Sequence, residues 1–129
     1  MAQQPRTGKG HAGFTLAELL VVLVLVSLLA ALAVPTVSGS LMRARETALT
    51  ENLHVMRRAI DDFQADRGEY PDTLQDLAEA RYISFVPDDP VAGEDAGWGL
   101  SLAPDDGGIE DIYSNAEGIG SNGIAYRSW

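Results

Sequence analysis

From Leu19 to Val37 the chain is an apolar run of 19 residues, interrupted only by Ser27, Pro35 and Thr36, with no charge until Arg43. At about 1.5 Å rise per residue, a helix of that length reaches roughly 28 Å, close to the ~30 Å hydrocarbon thickness of a bilayer. The run therefore predicts a membrane-spanning helix, and the rest of a 129-residue chain makes one soluble domain at most. One carboxylate, Glu18, stands at the start of the run. At the bilayer centre it would cost about 2.5–3.5 kcal/mol, so a partner for it is expected.

The flanks give the span a direction. Residues 1–13 are polar and Gly-rich and carry Arg6 and Lys9 with no acid, which places them in the cytoplasm by the positive-inside rule. An ordinary secretory signal is disfavoured, because no A-x-A-like site follows the apolar run, only the small residues of Leu29-Ala30-Ala31-Leu32-Ala33. The net charge is −10, and since the first thirteen residues are basic, the outer part is more acidic still. Phosphate neutralisation needs clustered Lys and Arg, so nucleic acid is disfavoured as a partner. The chain has no cysteine, which rules out disulfides and thiolate metal sites.

Beyond the span the helical pattern changes character without breaking. Pro35 removes a backbone hydrogen bond and Gly39 is a weak helix former, so Ala33 to Gly39 is the expected place for bending or local melting when subunits pack. Met42, Leu49, Met56 and Phe63 then recur every seven residues, with Glu46, Leu53 and Ile60 beside them and Ala48 and Ala59 alongside. That is an amphipathic stripe, with Arg43, Arg45, Glu51, Arg57, Arg58, Asp61 and Asp62 mostly off it. Three repeats with a glutamate in the adjacent row are too few for a coiled coil, and the apolar face is expected to carry a small sheet. Gly68 ends the helix as a C-terminal cap.

Glu69-Tyr70-Pro71-Asp72 turns the chain, and Asp72 is expected to cap a short helix through Arg81 carrying Leu74, Leu77 and Ala78. Tyr82 to Pro90 reads as an extended segment closed by prolines. Three short strands follow: one around Trp98, Leu100 and Leu102, one over Ile109 to Ser114 after a Pro-Asp-Asp-Gly-Gly turn, and one over Gly123 to Trp129. A three-stranded sheet this small is marginal alone, and the long helix supplies its second layer. His54 is the one histidine beyond residue 13, so neither a His-based catalytic pair nor a multi-histidine metal site can be built there. No catalytic constellation is present, and the chain does not read as an enzyme.

Gly13-Phe14-Thr15-Leu16-Ala17-Glu18 followed by the apolar helix resembles the processing site and anchor of the type IV pilin superfamily. Gly68-x-Tyr70-Pro71, followed by Val86-Pro87-Asp88-Asp89-Pro90, is similar to the major, G-type pseudopilins of type II secretion. The resemblance implies an α+β, pilin-like fold in three parts. Residues 1–13 are a leader, 14–37 a transmembrane and filament-core helix, and 38–129 a periplasmic domain. The last comprises an amphipathic helix over 38–67, a loop and short helix over 68–90, and a small three-stranded antiparallel sheet over 91–129. It further implies cleavage between Gly13 and Phe14 by a prepilin peptidase and N-methylation of Phe14. Glu18 would then accept the N-methyl ammonium of Phe14 from a neighbouring copy, and a proline such as Pro35 recurs in pilin-like helices.

The stretch Asp111-Ile112-Tyr113-Ser114-Asn115-Ala116-Glu117-Gly118 is similar to the family loop near which calcium binds, making Asp111, Ser114 and Glu117 the candidate ligands. It departs from that pattern at Glu117, at Asn115-Ala116 and in the shortened tail Ile124-Ala125-Tyr126-Arg127, which leaves fewer carboxylates for a cage. The implied function is a structural subunit of a pseudopilus, held in the inner membrane before assembly into a helical homopolymer. Its implied partners are further copies of itself, minor pseudopilins, the prepilin peptidase, the inner-membrane assembly platform and membrane lipid. A type IV pilin for adhesion or motility is the alternative within the superfamily. An uncleaved single-span binding protein is the alternative outside it.

Overall fold

The computed structural model describes residues 2–4, 13–105 and 107–129, so most of the expected leader lies outside the described residues. Helix α1 runs Leu16–Arg67 and ends where Gly68 takes a left-handed φ of 75° and donates its N–H to the Gln64 carbonyl at 2.8 Å, as the capping reading expects. The chain divides into two units, Met1–Ser38 and Gly39–Trp129. In the first, helical geometry continues through Pro35 in the single chain. The hydroxyls of Thr36 and Ser38 each donate to a carbonyl one turn back, at 3.3 and 3.0 Å.

The second unit holds the core. Leu49, Leu53, Met56, Ala59, Ile60 and Phe63 of α1 are buried at helical spacing against Leu77, Ile83, Ile109, Ile112, Ala116 and Tyr126. Met42 and Ala48, counted in the stripe by spacing, are exposed. Two strands, β1 (Trp98–Leu102) and β2 (Ile109–Ser114), form an antiparallel pair with Trp98 opposite Ser114 and Leu100 opposite Ile112. A bulge between Ser101 and Leu102 shifts the register, so that Leu102 meets Ile109. The intervening turn closes with Ala103 and Gly108 paired at 2.8 Å, and Gly107 takes a φ of 73°.

Three expectations are corrected. Among the described residues the sheet has two strands, not three: Gly123 to Trp129 forms a single bridge, Ile119 with Ala125, then a 3₁₀ turn at Tyr126–Ser128. Its alternating pattern is not that of a two-faced strand, because Ile124 is exposed while Tyr126 turns inward to a hydrogen bond on α1. The short helix α2 spans Leu74–Glu79 and is capped by Thr73, not Asp72, in a reciprocal box with Asp76. It stops before Arg81, whose φ of 65° is left-handed and cannot continue a helix. Finally, the segment from Tyr82 to Pro90 is not extended throughout: Tyr82 to Phe85 is a run of bends, and Asp89 is buried and bridges to Gly93.

Candidate functional site

In the N-terminal unit, the first turn of α1 is locked by two side chains. The Glu18 N–H donates to Thr15 Oγ1 at 3.1 Å, and the Thr15 N–H donates to Glu18 Oε2 at 3.4 Å. This is a reciprocal capping box that satisfies two of the N–H groups a helix start leaves unpaired. The signal for it, threonine followed three residues later by glutamate, stands in the sequence at Thr15-Leu16-Ala17-Glu18. Reading Glu18 only as an intermolecular ligand overlooks it. The carboxylate also lies at the positive end of the helix dipole, a further source of stabilisation. A carboxylate can accept about four hydrogen bonds, so the cap leaves acceptor capacity on Glu18. Phe14, next to the cap, is 91% exposed. Every residue from Leu16 to Val37 is exposed in the single chain, and an 18-residue window of this helix has a mean hydropathy of 2.8. Such a surface requires lipid or other helices around it.

In the second unit, the three candidate calcium ligands are engaged elsewhere. Asp111 and Ser114, an odd number of residues apart on β2, lie on opposite faces of the strand. Asp111 Oδ1 accepts from Arg57 Nε and from the Ile112 N–H, both at 2.8 Å. The Ser114 hydroxyl is buried, donates to Asp89 Oδ2 and accepts the Ala116 N–H at 3.1 Å. Glu117 is exposed. Among the described residues no group of three or more His, Cys, Asp or Glu side chains could hold a metal ion. The donor set therefore does not fit a calcium cage built on Asp111, Ser114 and Glu117.

What the structure builds instead is three polar clamps that sequence reasoning missed. Glu46, buried to 5% exposure on α1, accepts the Ser121 N–H at 2.9 Å, the Tyr126 hydroxyl at 2.7 Å and the Ser121 hydroxyl. The Ser121 hydroxyl foremost, then the Tyr126 hydroxyl and the Ser121 N–H, hold the Glu46 carboxyl below the usual range, with burial opposing and Arg43 assisting. The same bond to Glu46, together with burial, raises the Tyr126 phenol. Arg57, the second clamp, reaches the Ile112 carbonyl at 2.8 Å and the Trp129 carbonyl at 2.6 Å besides Asp111. Asp89, the third, accepts the Val91 and Ala92 N–H groups at 2.9 Å as well as Ser114, folding the Val-Pro-Asp-Asp-Pro loop back on itself. Trp98 Nε1 donates to the Pro87 carbonyl at 2.7 Å and ties that loop to β1.

Residues 8–34, which include Gly13, Phe14 and Glu18, match the prokaryotic N-terminal methylation motif family. The chain is 30% identical to the type II secretion system core protein G of Klebsiella pneumoniae, over 87% of this chain and 86% of that protein. It is 31% identical to the protein of the same name from Escherichia coli K12, over 80% of this chain and 89% of the relative. The Vibrio cholerae counterpart is 29% identical over 92% of each. No solved structure matches the chain.

Proposed function

We infer the function from one premise: the chain belongs to the type II secretion system core protein G family. It is a structural pseudopilin subunit with a pilin-like α+β fold and a membrane anchor at its N-terminal end. In the finer reading, a prepilin peptidase cuts between Gly13 and Phe14, Phe14 is N-methylated, and the acidic domain faces the periplasm. The anchor then leaves the bilayer for a helical filament, whose head-to-tail contacts repeat without closing. Further copies, minor pseudopilins and an inner-membrane assembly platform are its partners, and it carries out no catalysis itself.

The observation that carries this reading is a capped carboxylate at the start of a wholly exposed apolar helix. Within one chain, the cap and the helix dipole offset part of the cost of placing Glu18 near hydrocarbon. An ammonium from the next copy offsets the rest, which registers the subunits one above another. The test is Glu18→Gln, with filaments counted by electron microscopy and the mature start read by amino-terminal sequencing. Cleavage should persist at Phe14 while filament yield falls about tenfold or more. Filaments of normal abundance from this variant would remove the pairing. A wild-type start at Met1 or Ala2 would remove the processing step and favour an uncleaved single-span protein.

A further inference from the structure

We propose that the loop following β2, residues 115–125, is closed by the buried Glu46 carboxylate in place of a divalent cation, so that this domain folds without metal. The inference stands on the Gly39–Trp129 unit alone and is independent of polymerisation, so its failure and that of the filament reading are separate results.

The polarity of the loop decides the matter. Calcium takes six to eight oxygens aimed at one point. This loop carries one acid, Glu117, which is exposed. Four of its other oxygens are engaged within the loop and the turn that follows it. Asn122 Oδ1 accepts the Ile124 N–H at 3.0 Å, the Gly120 carbonyl accepts the Gly123 N–H at 2.9 Å, and the Gly118 carbonyl accepts the Tyr126 N–H at 3.3 Å. The Ile124 carbonyl accepts both the Gly120 N–H at 2.9 Å and Trp129 Nε1 at 3.2 Å. Donors, not acceptors, are what this segment turns toward α1: the Ser121 N–H, the Ser121 hydroxyl and the Tyr126 hydroxyl all converge on Glu46. A loop that presents converging donors is built around an anion. The long helix supplies that anion covalently, at a position sequence spacing placed beside the apolar stripe. The Trp129 ring then packs over Gly120, where a Cβ would meet it, and lies tilted at 52° against Tyr126 with 5.3 Å between centroids.

The test uses the full chain in detergent micelles, followed by tryptophan fluorescence. Both tryptophans, Trp98 and Trp129, lie in the Gly39–Trp129 unit, so the signal reports that unit. Wild-type protein should melt within about 2 °C of the same temperature in about 5 mM calcium and about 5 mM EDTA. A site of about 0.1–1 mM affinity would raise Tm by roughly 4 °C or more, so any calcium-dependent rise above about 2 °C overturns the proposal. Glu46→Gln should lower Tm by about 5–15 °C in both buffers, with no recovery on adding calcium. A Glu46→Gln protein that melts like wild type, or one restored by calcium, overturns the clamp. If that variant does not fold, Ser121→Ala removes one donor only and should lose about 3–10 °C, equally in calcium and in EDTA. An unchanged Tm for Ser121→Ala overturns the proposal as well.

Discussion

Replacing Arg57 by Met keeps the aliphatic stem on α1 and removes a guanidinium that serves three acceptors from two distant segments. Two are the carbonyls of Ile112 and Trp129, at 2.8 and 2.6 Å. A hydrogen bond from a charged donor contributes about 1.5–3 kcal/mol, and the partial exposure of Arg57 puts these two at the low end, about 3 kcal/mol together. The third is the ion pair with Asp111 at 2.8 Å, whose side chains are 37% and 52% exposed. An exposed pair of this kind contributes about 0–1 kcal/mol and is screened by salt. Arg57→Met should therefore lower Tm by about 12–32 °C at roughly 4–8 °C per kcal/mol, whereas Asp111→Asn should cost about 8 °C or less. Asparagine retains an acceptor for the Ile112 N–H, so the Asp111 variant isolates the ion pair. Thermal and urea melts of both variants, at low salt and at about 1 M salt, measure the difference. Equal losses for the two, or a loss below about 1 kcal/mol for Arg57→Met, would refute the assignment of the stabilisation to the carbonyl bonds.

Gly99 pairs with Tyr113 across the sheet, and a Cβ at Gly99 would fall within the Tyr113 ring, so Gly99→Ala should cost about 1–3 kcal/mol. In a double-mutant cycle with Tyr113→Ala that cost should largely vanish; additive losses would place the strain elsewhere. The pH dependence follows from Glu46, whose folded-state carboxyl is held low by Ser121 and Tyr126. Its contribution is present above the ordinary carboxylate value of 4.5 and is lost as pH falls through the lowered folded value. The Tm gap between wild type and Glu46→Gln should thus narrow from pH 7 toward pH 3. Tyr126, raised by the same contact, contributes below its ordinary value of 10.0 and loses that contribution at more alkaline pH.

The parts legible in the sequence are those governed by period and punctuation. The stripe Leu49, Met56 and Phe63 is buried as spacing expects, Gly68 caps α1, and β1 and β2 fall where alternation and the Pro-Asp-Asp-Gly-Gly turn put them. Where the reading failed, a tertiary hydrogen bond outweighed a local pattern. Tyr126 alternates with Ile124 as a strand would, yet its hydroxyl finds Glu46, 80 residues away, and the chain curls into a turn to reach it. Glu46 itself looked like a fault in an apolar row, because a buried carboxylate is legible only with its donors in view. Asp111, Ser114 and Glu117 looked like ligands because their chemistry suits calcium, but strand parity sends Asp111 and Ser114 to opposite faces. Local signals were also passed over: Thr15 to Glu18 and Thr73 to Asp76 are both capping boxes readable by spacing alone.

The Thr15 cap fixes where regular structure begins. Backbone upstream of it, at Gly13 and Phe14, is non-helical and open to solvent. Peptide bonds inside a helix have their carbonyls and amides committed along the axis, and an endopeptidase must unwind them before engaging them. Here the bond between Gly13 and Phe14 lies outside the helix and is exposed, while the apolar helix behind it stays wound. A cut at that bond, as proposed above, removes the leader without unwinding the apolar helix, and the Thr15 cap remains on the retained side.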